Sequence, residues 1–249
     1  MLVTEGSVEI RTEPKPTEVR TFPLSFVRID RLLPHEEIIE PELEKLVHDL
    51  RINGVLRYPV VVSKDTYVIL DGHHRYSALQ RLNFEFAPAI LLDYEDDDLI
   101  TVDTWYPIVH TSLHDFLNHL PSQDYKMVDE PFNILLHKVQ QRHYTAVVGN
   151  SEQVVAYTGS RRSLFKLVRN QYLTTTQYAD NPNVALDHAK EGKIAVISWA
   201  YTKKEIVEKA QAHEVFLPKT TRHTIKYRYP PINLHLEDLK NVKEEEINF

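Results

Sequence analysis

The residues with the clearest chemical potential form one short run in the first third of the chain. They are, in order, Asp71, Gly72, His73, His74, Arg75, Tyr76, Ser77 and Ala78. The apolar run before them is typical of a strand, and the residues after the glycine are typical of a helix. The N–H groups and the positive dipole end of such a helix attract anions. Because the glycine permits close approach of a ligand and the arginine adds a planar cation, the run predicts an anion site, best suited to phosphate.

Asp71 lies directly before this site, and its charge excludes direct contact with a phosphate because like charges repel. A carboxylate there suits two tasks: holding a Mg²⁺ ion bridged by nucleotide phosphates, or accepting the proton of an alcohol. A structural role as a cap of the helix stays open for Asp71. The whole run also has a plain alternative, a glycine turn followed by two surface histidines and a solvated arginine.

The elements that must position this turn follow from periodicity. Strands are expected at 58–63 and 67–70, joined by a tight connection, and a helix is expected over 73–82. A second helix over about 41–53 precedes them and ends before Gly54. Further strands are expected at 24–29, 86–92, approaching Trp105, at 145–149, 153–157 and 194–201, and further helices at 113–120, 131–139, 163–168 and from Thr202 to about His213.

This order predicts a mixed α/β fold in two parts that pack closely, because no Gly/Ser linker separates them. Residues 1–22 are polar and contain two prolines, so they are expected to form an N-terminal arm. Pro107 marks the boundary between a first domain at 23–107 and a second lobe at 108–249.

Composition excludes several classes of protein. The formal net charge of -7 argues against a DNA-binding protein, and the absence of cysteine excludes disulfides, thiolate zinc sites and a cysteine nucleophile. Only 6 glycines are present, so a glycine-rich phosphate loop is not expected. The chain shows neither a leader pattern nor a stretch near the ~20 apolar residues of a membrane span, which predicts a soluble cytoplasmic protein.

Gly72, Arg75 and Ala78 match the Gly-x-x-Arg-x-x-Ala element of the ParB/sulfiredoxin-like superfamily. In that superfamily the strand-to-helix turn cradles nucleotide phosphates. Sulfiredoxin activity is excluded because its nucleophile is a cysteine. A chromosome-partitioning ParB is disfavoured by the acidic balance and by the lack of a convincing helix-turn-helix pattern.

Three further blocks resemble the free L-serine kinases in their order and spacing. They are Pro34-His35-Glu36, Thr104-Trp105-Tyr106-Pro107 and Pro218-Lys219-Thr220-Thr221-Arg222-His223. The resemblance runs from about Phe26 to Leu239 and is weakest over 120–190. It implies a ParB/sulfiredoxin-like nucleotide-binding unit packed on a second α/β lobe, which contributes substrate-binding residues near 218–223.

The resemblance also implies an activity, the phosphorylation of free L-serine to O-phospho-L-serine. The donor would be an adenine nucleotide with Mg²⁺, and the C-terminal block favours ADP over ATP. The product would feed serine, cysteine or specialised amino-acid metabolism. Neither a membrane nor a nucleic acid is expected as a partner.

The roles that the resemblance implies fall into three groups. The catalytic residues would be Glu36 as the base, Asp71 and His74. The nucleotide phosphates would be bound by Gly72, His73, His74, Arg75 and Lys219, and serine by Trp105, Thr220, Thr221, Arg222 and His223.

Plainer interpretations of some of these residues stay open. Glu36 could be an exposed acid before a helix, Thr220–His223 could begin a strand, and Lys219 could be solvated. For the chain as a whole, the alternative is a ParB-like nucleotide-binding regulator that binds DNA. His110 and His114 would suit zinc if both lay on one helix, with His119 nearby, but no zincin motif accompanies them.

Overall fold

The computed structural model describes residues 9–11 and 18–242. Contacts divide the chain into two compact units, each assembled from separate stretches. Among the described residues, unit 1 contains 9–11, 103–200 and 219–222, and unit 2 contains 18–102, 201–218 and 223–242. Most of the expected N-terminal arm lies outside the described residues, although Glu9–Ile10 forms a strand of unit 1.

The strands in chain order are β1 Glu9–Ile10, β2 Ser25–Arg28, β3 Val55–Leu56, β4 Val60–Ser63, β5 Ile69–Asp71, β6 Phe86–Leu92, β7 Ile100–Asp103, β8 Tyr106–His110, β9 Tyr125–Met127, β10 Ala146–Gly149, β11 Val154–Tyr157, β12 Thr176–Ala179, β13 Lys193–Ser198, β14 Arg222–Ile225 and β15 Leu234–His235. The helices are α1 Glu40–Asn53, α2 His73–Arg81, α3 Leu113–Leu117, α4 Phe132–Gln140, α5 Arg161–Tyr172, α6 Pro182–His188, α7 Lys203–Gln211 and α8 Leu236–Lys240. Within the described residues, no helix is long and apolar enough to cross a membrane.

Unit 2 is built on a sheet whose strand order is β2-β6-β4-β5. β4 runs parallel to β6, whereas the β2/β6 and β4/β5 pairs are antiparallel. Leu43, Val47 and Leu50 recur on one face of α1 and are buried in the same core as Ala78 and Leu79 of α2. This shared core holds the start of α2 beside the end of β5, where the chemically distinctive run lies.

In unit 1, the described strands form a sheet in the order β1-β12-β8-β13-β10-β11-β9. Its pairs are antiparallel except for the parallel β1/β12 pair at one edge. Ala146, Val148, Ile194 and Val196 lie on one face and are fully buried with Leu164 of α5. The alternation of strand residues between two buried faces explains why β10 and β13 are continuous apolar runs.

Most of the expected elements near the distinctive run are confirmed. α1, α2 and β6 match their predicted ranges to within about two residues, and β10 and β11 pair across Asn150 as expected. The capping box at α7 is also present, since Thr202 accepts the Glu205 N–H and the Glu205 side chain accepts the Thr202 N–H.

Two features differ from the sequence-based expectation. The chain leaves unit 2 after residue 102 and returns at 201, so α7, β15 and α8 belong with the earlier part of the chain rather than with 108–200. The local sequence pattern cannot predict such a return, because a strand can pair with a partner that is far away in sequence. β8 was not expected, because Pro107 within it was interpreted as a boundary, and no strand was predicted where β12 lies.

The prediction that His110 and His114 lie on one helix is wrong. His110 ends β8 and His114 lies in α3, so the two side chains are not one helical turn apart. No group of three or more His, Asp or Glu side chains suited to hold a metal occurs in residues 9–11 and 18–242.

The turn between β5 and α2 depends on a glycine. Gly72 has a φ of 99°, in the left-handed region, and it precedes the first residue of α2. A Cβ at this position would lie 2.8 Å from Nε and 2.9 Å from Nη2 of Arg75. The position therefore excludes a side chain twice, through backbone strain and through the guanidinium packed against it.

We expect Gly72→Ala to destabilise the protein more than Gly54→Ala. Gly54, at the end of α1, also has a positive φ (63°), but a Cβ there meets nothing within 4 Å. Its replacement should cost about 1 kcal/mol of strain, and that of Gly72 at least twice as much because Arg75 must also move. Urea unfolding followed by circular dichroism measures both; equal losses would contradict the packing argument.

Candidate active site

Asp71, the last residue of β5, is held by two neighbours. Its Oδ2 lies 2.5 Å from Nη2 of Arg75 and accepts a 2.7 Å hydrogen bond from the Tyr229 hydroxyl. Nη1 of Arg75 also donates to the Pro59 carbonyl at 2.5 Å. Burial acts to raise the pKa of Asp71, but the Arg75 charge and the Tyr229 hydrogen bond outweigh it and lower the pKa below its usual value.

Asp71 is therefore a fixed, ionised carboxylate at neutral pH. The guanidinium of Arg75 is committed to orienting it, while the N–H groups at the start of α2 are those that a helix leaves without helical acceptors. Tyr229 was not singled out from the sequence, because it lies 158 residues from Asp71 in a stretch with no motif of its own.

Three imidazoles form a cluster beside this turn. The ring centroids of His35 and His73 are 4.4 Å apart, and those of His35 and His223 are 5.2 Å apart. The backbone N–H of His35 donates to Nε2 of His73 at 3.3 Å, and Nε2 of His223 lies 2.7 Å from the Tyr94 hydroxyl. The cluster brings together residues from three of the four sequence blocks.

The imidazoles in this cluster are neutral at pH 7. Burial is the main cause, reinforced by neighbouring cationic and imidazole groups, and it lowers the pKa of His73 to about 3. The pKa values of His35 and His223 also fall well below the usual value for the same reason. The ring of His73 therefore carries no positive charge at pH 7 that could attract a phosphate.

His74 lies apart from that cluster and faces the start of α1. Its Nε2 accepts the Ile39 N–H at 3.3 Å and lies 3.7 Å from Oε2 of Glu42. An Nε2 atom that accepts a hydrogen bond carries no proton, so the backbone contact corresponds to the neutral ring. The Glu42 carboxylate is the group that would stabilise the protonated form.

The backbone around Glu36 is pinned on both sides. The N–H of Phe216 donates to the His35 carbonyl at 2.8 Å, and the Glu37 N–H donates to the Phe216 carbonyl at 2.9 Å. Phe216 itself stacks on Tyr201, with ring centroids 3.9 Å apart. Glu36 is half-buried in this short parallel bridge, and its backbone direction is thereby set before α1 begins.

Among the expected serine-binding residues, Trp105, Thr220, Thr221 and Arg222 belong to unit 1, whereas His223 belongs to unit 2. Lys219, which was expected to bind phosphate, also belongs to unit 1. Lys219 pairs with Glu9 at 2.6 Å, and Arg222 pairs with the fully buried side chain of Asp180 at 3.3 Å. Neither acidic partner was expected from the sequence. Glu9 fell within the segment interpreted as an arm, and Asp180 follows a strand that was missed.

Trp105 is buried and surrounded by cations. Arg11, Lys219 and Arg222 lie 5.3, 5.2 and 5.5 Å from its ring centroid. Arg11 and Lys219 both pair with Glu9, and Arg222 pairs with Asp180, so three cations face two carboxylates here. The one excess positive charge favours an anionic group of a ligand over an ammonium group. Thr220 and Thr221, on the adjoining segment, are buried as well.

Unfolding exposes the clustered histidines to water, where an imidazole has a pKa of about 6.5. Their folded pKa values are lower, so the unfolded chain binds more protons below that pH. We expect the contribution of these histidines to the free energy of unfolding to be complete above about pH 6.5. It should decrease as the pH is lowered, by up to about 1.4 kcal/mol per pH unit for each imidazole. Asp71 contributes only nearer pH 4, because its pKa is lowered from 3.8.

Urea unfolding between pH 7.5 and 5 measures this slope. His73→Gln should make it shallower, whereas His48→Gln, on the exposed side of α1, should leave it unchanged. Equal slopes in the wild type and His73→Gln would show that His73 is not held neutral by the fold.

Comparison with known proteins adds an independent line. Residues 9–104 match the ParB N-terminal domain family. An ATP-dependent L-serine kinase of Staphylothermus marinus is 28% identical over 95% of this chain and 99% of its own length. An ADP-dependent L-serine kinase of Thermococcus kodakarensis is 29% identical over 86% of this chain and 92% of its own length.

A solved structure agrees with these relatives. A mutant free serine kinase in complex with ADP aligns with a TM-score of 0.81 at 27% identity, covering 93% of this chain and 100% of the other. The resemblance expected from the four sequence blocks is confirmed. Residues 9–104 of this chain therefore match the ParB N-terminal domain, and over 95% of its length the chain is similar to an L-serine kinase.

Proposed function

We propose that this protein is an L-serine kinase that transfers the terminal phosphoryl group of an adenine nucleotide to the hydroxyl of free L-serine. The observation that carries the proposal is similarity to L-serine kinases over 95% of the chain, well beyond the ParB N-terminal match at 9–104. The cytoplasm, which supplies both substrates, is the proposed location.

In the proposed reaction the serine oxygen attacks the terminal phosphorus, and the bond from phosphorus to the leaving nucleotide oxygen breaks. The hydroxyl proton passes to the Glu36 carboxylate. A serine hydroxyl is a poor nucleophile, so orientation of the alcohol and removal of its proton are the main services a carboxylate can offer. The pinned backbone around Glu36 supports this role because it limits the positions that the side chain can reach.

The start of α2 is the proposed phosphate site. Gly72 supplies the left-handed backbone that starts the helix, and the N–H groups of His73, His74 and Arg75 are the donors that a helix N-terminus presents to an anion. We assign the guanidinium of Arg75 to orienting Asp71, since two of its nitrogens already contact protein oxygens. We also propose Lys219, which forms an ion pair with Glu9, as a phosphate ligand.

A magnesium ion fits the donor set that Asp71 offers. Mg²⁺ binds nucleotide phosphates with one or two carboxylates and several waters, and Asp71 is an ionised carboxylate directly before the phosphate site. We propose that Asp71 would hold such an ion, which would neutralise charge on the phosphates. Asp71 would also orient the serine hydroxyl beside Glu36.

For serine, we propose that its carboxylate is bound by Arg222 and by the hydroxyl and N–H groups of Thr220 and Thr221. The three cations around Trp105 support an anionic group on that side. His223 would serve as a neutral hydrogen-bonding group, in keeping with its lowered pKa.

A donor-by-acceptor assay tests the function. Purified protein with Mg²⁺, L-serine and either ADP or ATP should form O-phosphoserine, detected by mass spectrometry, whereas D-serine and L-threonine should react far more slowly. The relatives include both ATP-dependent and ADP-dependent enzymes, so the ratio of the kcat/KM values for the two donors tests the expected preference for ADP. Absence of product with both donors would refute the proposal.

We expect Glu36→Gln to lower kcat by about 10² or more while the KM for serine changes little, because the amide keeps the shape but cannot accept the proton. The matched control is Glu37→Gln, which makes the same chemical change one residue later and should stay within about threefold of wild type. Full turnover by Glu36→Gln would assign the base elsewhere.

A further inference from the structure

We infer that Arg161 is a positioning residue for the serine-binding segment, an inference that rests on the proposed function. Arg161 is the first residue of α5 and lies 59 positions from Thr220 in sequence. It belongs to none of the motifs from which the site was predicted. Its contacts nevertheless end on the backbone of that segment, within unit 1.

The guanidinium of Arg161 joins three separate stretches of chain. Nε donates to the Ser198 hydroxyl at 3.0 Å, at the end of β13. Nη2 donates to the Thr104 hydroxyl at 3.2 Å and to the Thr220 carbonyl at 3.4 Å. The Thr104 hydroxyl in turn donates to the same Thr220 carbonyl at 3.1 Å.

The location of this cation is unfavourable for helix stability. A positive charge at the first position of a helix opposes the helix dipole, and Arg161 is only 7% exposed. The rings of Phe165 and Trp199, 4.6 and 4.7 Å from its Cζ, hold the guanidinium in one orientation. A buried cation that is held in one orientation fixes the positions of the oxygen atoms to which it donates.

A rigid peptide plane connects the carbonyl that Arg161 contacts with a proposed substrate-binding N–H group. The carbonyl oxygen of Thr220 and the N–H of Thr221 belong to the same planar peptide unit. Fixing the direction of that oxygen therefore fixes the direction of the Thr221 N–H, a proposed donor to the serine carboxylate. The Thr104 hydroxyl extends the same constraint to the residue before Trp105.

Arg161→Lys tests this role because lysine keeps the charge but loses the planar fork. The KM for L-serine should rise at least tenfold, with kcat within threefold and the KM for the nucleotide within twofold. Arg142→Lys is the matched control, since Arg142 also stacks on Trp199, at 4.1 Å, but is exposed and donates to the Ala200 carbonyl at 3.5 Å. It should leave all three constants within twofold.

Hydrogen–deuterium exchange of the free protein provides a readout that does not depend on activity. Peptides covering 218–223 should exchange at least threefold faster in Arg161→Lys than in the wild type and in Arg142→Lys. Unchanged exchange, or equal rises in the KM for serine and for nucleotide, would overturn the positioning role. If the wild type forms no phosphoserine, the proposed function fails, while the exchange result still decides whether Arg161 orders this segment.

Thr104→Val provides a second test of the inference in case the Arg161→Lys variant fails to fold. It removes only the hydroxyl that bridges Arg161 and Thr220, and it should raise the KM for serine at least threefold. Thr104→Ser, which restores the hydroxyl, should return the KM to within twofold of wild type. A wild-type KM in Thr104→Val would contradict the inference.

Discussion

The contact between Gly72 and Arg75 is the constraint on which the turn between β5 and α2 in unit 2 depends. The guanidinium occupies the space that a Cβ of residue 72 would need, and from there it reaches both the Asp71 carboxylate and the Pro59 carbonyl. One side chain thus closes the turn, orients the acid and ties the turn to the chain before β4. Tyr229 completes the arrangement by donating to the same carboxylate oxygen.

Charge in both units is handled by pairing and by neutralisation. Asp71, Glu9 and Asp180 each face a cation, and the pKa values of Asp71 and Glu9 are lowered although burial acts in the opposite direction. The clustered histidines are kept neutral by burial instead. The formal net charge of -7 therefore says little about the site, where cations gather around Trp105.

Arg161 and Arg75 both connect segments of the chain that are separated in sequence. Each guanidinium contacts atoms from separate stretches of chain. Arg75 was expected from the sequence to bind phosphate, whereas Arg161 was not singled out. A planar group with five donors can satisfy several oxygens at once, which makes arginine suited to joining segments that backbone hydrogen bonds do not join.

By itself the sequence determined the local elements and the chemical type of the turn. A strand, a glycine and a helix N-terminus with nearby histidines follow from short-range sterics and periodicity, so β5, Gly72 and α2 could be predicted. The blocks around Glu36, Trp105 and 218–223 could be named through their resemblance to a family. Only the tertiary structure decided which distant groups contact these residues: Tyr229 at Asp71, Phe216 beside Glu36, Glu9 at Lys219 and Asp180 at Arg222. These contacts join residues that lie between 42 and 210 positions apart in the sequence, and no local propensity encodes them.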